Sequence, residues 1–127
     1  VHGVLVGNSH NEKVCTGCTV ITPIEGSIAS ADVRGGAPGT REVGALNPYN
    51  LVDTIDSIVL SGGSTWGLEA ASSVGNYIGS QGRGYKPSKN STCFLITFFA
   101  IVTPSPSLCF LKSRACAAAI NSIPSTP

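Results

Sequence analysis

The sequence predicts a mixed α/β fold, and a strand, a glycine turn and a helix in the middle of the chain carry this prediction. Ile58, Val59 and Leu60 form an unbroken β-favouring apolar run, typical of a strand covered on both faces. Gly62-Gly63 then allows a sharp turn and a close backbone approach. A helix with one apolar face follows, its apolar positions being Trp66, Ala70, Val74 and Tyr77 or Ile78. Such a corner is suited to binding an anion or a substrate.

Antiparallel strands are expected before this corner. Residues 4–6 predict a short strand, residues 8–13 a polar turn, and residues 16–22 a β-branched strand. Glu25-Gly26 marks a hairpin turn, after which residues 28–33 alternate small and apolar side chains as a returning strand would. The first third of the chain therefore predicts a small antiparallel meander.

Two helices are expected around the central strand. Asn47 and Pro48 have the cap and first-turn preferences of a helix start, so a short helix ending near residues 54–55 is predicted. Its inward side chains would be Leu51, Val52 and Ile55. For the main helix, Ser64 is the expected N-cap. That helix should end near Gln81, with Gly82 as the left-handed residue after it.

Composition narrows the range of partners. The 127 residues allow one domain with a modest core. Residues 1–85 hold all 7 acids and four bases, a net charge of −3, whereas residues 86–127 hold four dispersed bases and no acid. Four scattered cations do not form a patch for nucleic acid or an anionic membrane, so neither partner is expected.

The chain has no methionine, so Val1 is interpreted as a processed end or the edge of a fragment. Residues 1–7 lack a signal-peptide pattern, which predicts a cytoplasmic protein.

The cysteines predict neither a metal site nor a redox pair. Cys15 and Cys18 form a lone CxxC, and a zinc site would need a second pair or nearby histidines that His2 and His10 do not convincingly supply. A thioredoxin-like motif should open a helix, but residues 19–22 read as a strand. We therefore expect ordinary buried cysteines, no metal and no cofactor.

A glycine-rich loop, DVRGGAPGTRE at residues 32–42, is the second candidate site. Three glycines and a proline within five residues exclude a regular element, and long ordered loops are often functional. Its arginines can hold a carboxylate or phosphate, or they can pair with Asp32 and Glu42 to pin the loop; both interpretations stay open. The candidate residues at the cleft are Arg34, Gly35, Gly36, Thr40, Arg41 and Glu42.

The chain changes character after residue 85. Residues 93–103 are an apolar run of 11 residues, too short to span a membrane as a helix, and they predict one short strand at 94–102. The sequence beyond is rich in serine, proline and cysteine and shows no sustained period. We expect residues 1–85 to form the folded part, and residues 86–127 to be an unrelated tail that is disordered or poorly packed.

Three motifs together point to a family. They are VGNSHNEKVCTGCTV at residues 6–20, DVRGGAPGTRE at 32–42 and IVLSGGSTWGLEAASSVGNYI at 58–78. In this order and spacing, about residues 2–85 resemble the N-terminal part of the DmpA-type aminopeptidases, the L-aminopeptidase/D-esterase family that includes β-peptidyl aminopeptidases.

The resemblance implies a self-processing hydrolase. Such enzymes cleave themselves into an α-chain and a β-chain, and the new N-terminal residue of the β-chain, usually serine, is the nucleophile. They release N-terminal amino acids from peptides, amides or esters. The implied fold is a four-layered α/β/β/α sandwich, shared with ornithine acetyltransferase. The resemblance also implies no cofactor and assembly into oligomers of αβ units.

Departures from the family pattern limit what can be carried over. Trp66 stands where the family usually has Phe, and Asn8 stands where histidine is common, so no imidazole role is assigned there. Nothing in residues 86–127 resembles the later family segments, which carry the nucleophile. We therefore assign no catalytic residue and expect this chain alone to be inactive. Alternative hypotheses are a non-catalytic fragment that pairs with a full-length homologue, and acetyl transfer of the ornithine acetyltransferase type.

The glycine corner supports a pocket wall rather than a nucleophile. A nucleophile elbow at Ser64 would need glycine two residues later, where Trp66 stands, and no histidine follows the serine. A dinucleotide fingerprint fails on the spacing of Gly62, Gly63 and Gly67. Either the corner lines a pocket or it only packs strand against helix. The candidate wall residues are Ser61, Gly62, Gly63, Ser64, Trp66 and Gly67.

Overall fold

A long antiparallel hairpin opens the computed structural model, which describes residues 1–36, 38–93 and 96–101. Strands β1 (Val4–Asn11) and β2 (Thr16–Pro23) pair along their whole length. A short 3₁₀ turn, Glu12–Val14, joins them, and the Asn11 side chain accepts a hydrogen bond from the Lys13 amide (3.1 Å). The strand at residues 16–22 is confirmed. The polar turn expected from residue 8 begins only after Asn11, because polar side chains suit an edge strand with a solvated face.

The third strand of the sheet comes from the middle of the chain. Strand β4 (Ser57–Gly62) pairs antiparallel with β2, with Ile58 opposite Ile21 and Ser61 opposite Cys18. The returning strand expected at residues 28–33 is wrong, since that segment has no regular secondary structure. Its side chains are small or exposed, so the apolar β4 is the better partner for β2. The predicted meander is therefore reduced to the β1–β2 hairpin.

The sheet continues with a parallel strand and a short edge strand. Strand β7 (Ile96–Ile101) runs parallel to β4, and β3 (Thr40–Arg41) pairs antiparallel with β7. The order is β1-β2-β4-β7-β3. Strands β5 (Tyr85–Ser88) and β6 (Ser91–Cys93) form a separate hairpin. The strand predicted within 94–102 is confirmed; residues 102–127 lie outside the described part, and a tail beginning at residue 86 stays a prediction.

Two helical segments follow β4. Helix α1 (Ser64–Gly67) and helix α2 (Ala70–Ser80) are separated by a turn at Leu68 and Glu69. One face of α2 is buried against β2 and β4, and the core cluster consists of Cys18, Val20, Val59, Ala70, Ala71, Val74 and Ile78. The mixed α/β class and the main helix are thus confirmed.

The end of α2 has the geometry that the sequence predicts. Gly82 has φ 71°. Its amide donates to the Gly79 carbonyl (2.9 Å), and the Arg83 amide donates to the Ile78 carbonyl (3.3 Å). These two bonds make a Schellman motif, which satisfies carbonyl groups that the last helical turn leaves open.

The two faces of the sheet differ. In β2 and β4 alternate residues are buried, among them Val20 and Val59, which are 0% exposed. The other face is only half-buried at Ile21 and Ile58, and Val6 beside them is 51% exposed. The expectation that β4 is covered on both faces is therefore met on the face toward α2 and not on the opposite one.

The short helix expected from Pro48 does not form. A 3₁₀ helix, Val43–Leu46, precedes that position, and residues 48–49 form a turn. Asn47 caps only this turn, with Oδ1 accepting from the Tyr49 amide (3.2 Å). Leu51 is 85% exposed although it was expected inward, whereas Ile55 is 2% exposed as expected. An asparagine side chain supports a turn as readily as a helix start, and nothing buries Leu51 enough to select the helix.

Candidate functional site

The glycine corner joins the end of β4 to α1 through two residues with left-handed backbones. Gly63 has φ 104° and Ser64 has φ 57°. Gly63 is the N-cap of α1, with no side-chain hydrogen bond, and Ser64 is the first helical residue. The prediction of Ser64 as N-cap is therefore wrong. A positive φ is costly for a residue with a Cβ, so Ser64 holds a strained position in the corner.

Gly67 closes this corner against the strand. Its amide donates to the Gly63 carbonyl (3.1 Å). A Cβ at Gly67 would stand 2.3 Å from the carbonyl oxygen of Gly62, closer than real Cβ contacts. Only glycine fits at this point, so the spacing of Gly62 and Gly67 in the sequence reflects a close backbone contact.

The candidate wall residues differ in exposure. Ser61 is 2% exposed, and Gly63 and Gly67 are buried. Gly62 and Ser64 are half-buried, and Trp66 is 60% exposed. Trp66 was expected on the apolar face of one continuous helix, which is wrong because the turn between α1 and α2 breaks the helical phase. The corner thus combines an exposed aromatic side chain, Trp66, with a buried serine, Ser61.

The glycine-rich loop divides into an exposed part and a docked part. Arg34 pairs with Asp32 (2.5 Å), and both side chains are mostly exposed. Gly35 and Gly36 face open space. The pinning interpretation therefore describes Arg34 correctly, and the pair is of the exposed kind that contributes little to stability.

Thr40 and Arg41 form the docked part as strand β3. Arg41 Nη1 donates to the Ser72 hydroxyl on α2 (3.0 Å). Glu42, with φ 61°, precedes the 3₁₀ helix instead of pairing with Arg41. The expected Arg41–Glu42 pairing is replaced by a contact between the loop and the helix.

The glycine-rich loop and the glycine corner are separated by one strand of the sheet. Thr40 lies opposite Phe99, which in turn lies beside Leu60 in β4. Strand β7 stands between them, so β3 and β4 are about 10 Å apart. Arg41 reaches α2 rather than the turn at Gly62. The structure thus places the loop beside the helix that follows the corner.

The CxxC pair does not close on itself. Cys15 is free and exposed, with φ 47°. Cys18 is 4% exposed and disulfide-bonded. The expectation of two ordinary buried cysteines is wrong for Cys15, which is exposed, whereas Cys18 is buried as expected but is disulfide-bonded. Within residues 1–36, 38–93 and 96–101, no cluster of three or more His, Cys, Asp or Glu side chains is placed to hold a metal.

A groove that the sequence did not reveal lies at the other end of the sheet. Its volume is about 550 Å³, and its charged lining residues are Glu25, Asp53, Asp56, Arg83 and Lys86. Asp56 precedes β4, whereas Gly62 ends it, so the groove and the glycine corner lie at opposite ends of that strand. Three separate segments of the chain line the groove, and no local motif could have predicted it.

Arg83 anchors the wall of this groove. Its Nη2 donates to the Pro23 carbonyl (2.8 Å) and lies 3.8 Å from Asp56 Oδ1. The two side chains are 31% and 16% exposed. Arg83 therefore ties the end of α2 to the end of β2 and the start of β4.

None of the helices in the described part of the chain is long and apolar enough to cross a membrane.

The sequence that forms this strand, glycine turn and helix matches a known family of peptidases. The model of peptidase family S58 matches residues 1–102, and the chain belongs to this family. The match extends beyond residue 85, where the family-like part was expected to end. It includes β7, the parallel neighbour of β4.

Relatives with known names share parts of the chain. An uncharacterised aminopeptidase of Mycobacterium tuberculosis (strain H37Rv) is 46% identical over 68 residues, which are 54% of this chain and 20% of the relative. One of Mycobacterium leprae is 43% identical over 92 residues, 66% of this chain and 25% of the relative. A 6-aminohexanoate-oligomer endohydrolase of Kocuria sp. is 42% identical over 72 residues, 57% of this chain and 18% of the relative. The chain spans about a fifth to a quarter of the length of these relatives.

Proposed function

We propose that this chain is the N-terminal part of a self-processing aminopeptidase that releases N-terminal amino acids from peptides, amides or esters. The observation that carries the proposal is the match to peptidase family S58 over residues 1–102. The relatives are named as aminopeptidases or as an endohydrolase, and all of these names describe hydrolysis. Hydrolysis is therefore favoured over acetyl transfer, which rests on a shared fold alone.

The nucleophile is a serine that becomes N-terminal when the precursor cleaves itself, in a later segment of the complete protein. Its hydroxyl attacks the substrate carbonyl, with the free α-amine taking the proton, and the amine or alcohol product leaves. Water then hydrolyses the resulting ester and releases the amino acid. The glycine corner, Ser61 to Gly67, forms part of the pocket wall beside this serine. The loop at residues 34–42 forms a rim that Arg41 fixes to α2.

The complete protein forms a four-layered α/β/β/α sandwich. The face of the sheet that carries Ile21 and Ile58 supports this architecture, because these two apolar side chains are only half-buried in the described part of the chain. Two sheets pack face to face when each has such an apolar surface. A second sheet from the later segments would cover this face, and α2 already covers the other. The αβ units then assemble into oligomers.

The test compares the complete protein with the 127-residue chain. The complete protein should separate into two polypeptides, with a new N-terminal serine identified by mass spectrometry. It should also hydrolyse an amino-acid p-nitroanilide. The 127-residue chain is the matched control, and it should release no p-nitroaniline above the buffer blank. An intact, inactive complete protein would contradict the proposal, and turnover by the short chain would place the nucleophile within these residues.

A second candidate is a non-catalytic chain that pairs with a full-length homologue. Strand β1 supports it, because it is eight residues long, lies at the edge of the sheet and contains neither proline nor lysine. Such edges accept another strand readily. Co-purification of a tagged 127-residue chain with an intact homologue tests this candidate, and Val6→Pro in β1 should abolish the association.

A further inference from the structure

Among the described residues, four hydroxyl groups are buried on one face of the sheet, and they form two sets at opposite ends of it. Thr16 and Thr22 lie on β2 and are 9% and 6% exposed. Ser57 and Ser61 lie on β4 and are 0% and 2% exposed. Because side chains on a strand alternate between faces, Thr16, Cys18, Val20 and Thr22 share the face toward α2. Extending the antiparallel register puts Thr22 opposite Ser57, and Thr16 diagonal to Ser61.

The set far from the glycine corner is fully paired. The hydroxyls of Thr22 and Ser57 lie 3.2 Å apart, and Ser57 also donates to the Ile21 carbonyl (3.1 Å). These contacts are the usual state of buried hydroxyls. This end of the sheet therefore needs no further polar group.

The set near the glycine corner, Thr16 and Ser61, is not fully paired. Thr16 Oγ1 is inaccessible to solvent and has no hydrogen-bond partner within the described residues. Ser61 donates to the carbonyl of the adjacent Gly62 (3.2 Å), which leaves its oxygen available as an acceptor. A buried hydroxyl without a partner costs about 1–3 kcal/mol, so such a group calls for an explanation.

The surroundings of Thr16 point to a ligand. Cys18 lies opposite Ser61, and extending this register by two residues sets Thr16 opposite Gly63. Thr16 thus lies beside the carboxyl end of β4, where the glycine corner begins. The Cα atoms of diagonal neighbours on adjacent strands are about 7–8 Å apart, so their side chains can hydrogen-bond to the same small group.

We propose that Thr16 and Ser61 form a subsite for one peptide group of the substrate, with the Thr16 hydroxyl donating to its carbonyl oxygen and Ser61 Oγ accepting from its N–H. This inference rests on the proposed function. The ligand reaches Thr16 Oγ1 only when the turn at Gly63 and Ser64 moves, because this oxygen is inaccessible to solvent. Thr16 is a substrate-positioning residue, and it takes no part in the bond-breaking step.

Kinetics of the complete protein with a dipeptide p-nitroanilide test the subsite. Thr16→Val keeps the shape of the side chain and removes the hydroxyl. KM should therefore rise about tenfold, which corresponds to the loss of one hydrogen bond, and kcat should stay within about twofold of the wild-type value. Its thermal midpoint should not fall, because no partner in the fold is lost. Thr16→Ser should restore KM to within about twofold of the wild type.

Thr22→Val is the matched control on the same face of the same strand. It should lower the thermal midpoint, because it breaks the contact with Ser57, and leave KM unchanged. If the wild-type protein cleaves the substrate and Thr16→Val leaves KM unchanged, the subsite alone is overturned. A loss of stability in Thr16→Val equal to that in Thr22→Val would overturn it as well. A wild-type protein that cleaves nothing would overturn the proposed function and the subsite together.

Discussion

Gly67 packs onto the backbone of Gly62 so closely that a Cβ at Gly67 would stand 2.3 Å from the Gly62 carbonyl oxygen. The contact fixes the start of α1 against the end of β4. It also explains why two glycines five residues apart flank the corner. The contact thus joins the two ends of the corner, on either side of the turn at Gly63 and Ser64.

Gly67→Ala should destabilise the protein by about 2 kcal/mol, because the added methyl group meets backbone that cannot move aside cheaply. Urea denaturation of the complete protein measures the change. Gly36→Ala is the control, since nothing lies within 4 Å of a Cβ at Gly36. It should change the free energy of unfolding by less than about 0.5 kcal/mol. Equal effects of the two substitutions would contradict the close contact.

Ser64→Gly should stabilise the protein or leave it unchanged, because glycine adopts φ 57° without the strain that a Cβ causes. The expected gain is at most about 1 kcal/mol. Ser73→Gly in α2 is the control, and it should lose about 1 kcal/mol as a glycine within a helix does. Thermal unfolding of both variants checks the pair. A loss of stability in Ser64→Gly would show that the serine side chain makes a contact of its own.

Arg83→Met should destabilise the protein by about 2 kcal/mol. It removes a charge-assisted hydrogen bond to the Pro23 carbonyl, and it also removes the positive charge next to the half-buried Asp56 carboxylate. Arg34→Met is the control, because its ion pair with Asp32 is exposed, and it should change stability by less than about 0.5 kcal/mol. Denaturant midpoints distinguish the two. The prediction fails if both arginines prove equally dispensable.

Arg41 and Ser72 should be coupled by about 0.5–1.5 kcal/mol in a double-mutant cycle of Arg41→Ala and Ser72→Ala, as expected for one hydrogen bond between a loop and a helix. The same variants decide between the two interpretations of the loop. An arginine that only fixes the loop gives similar changes in KM when either partner is removed. An arginine that holds a substrate carboxylate gives a large rise in KM for Arg41→Ala and none for Ser72→Ala.

Local patterns predicted the elements whose contacts are close in sequence. The strand at β4, the main helix and its end at Gly82 follow from apolar spacing and from the backbone freedom of glycine. The returning strand at residues 28–33 and the helix after Pro48 were wrong, because each had a local signal and no buried surface to support it. Ile28, for example, is 84% exposed.

The candidate site was predicted as two groups of residues, and the structure changes the role of several. Pairing of Arg41 with Glu42 was one interpretation of the sequence, and in the structure Arg41 donates instead to Ser72, which is 31 residues away. Trp66 moved from the core to the surface because a break at Leu68 could not be read from helical spacing. No local pattern marks Thr16, because a threonine in a strand is ordinary and only the structure shows that its hydroxyl has no partner among the described residues.

The sequence by itself determined the family and the corner that marks it, because glycine spacing and apolar runs encode backbone geometry directly. Only the tertiary structure decided which strands are neighbours, which hydroxyls are paired and where the groove lies. Those features depend on residues far apart in the chain that meet only when burial selects one arrangement of the strands. The stretch from Ser61 to Gly67 shows both, since its turn is set by local sequence and the burial of its Ser61 hydroxyl is set by tertiary packing.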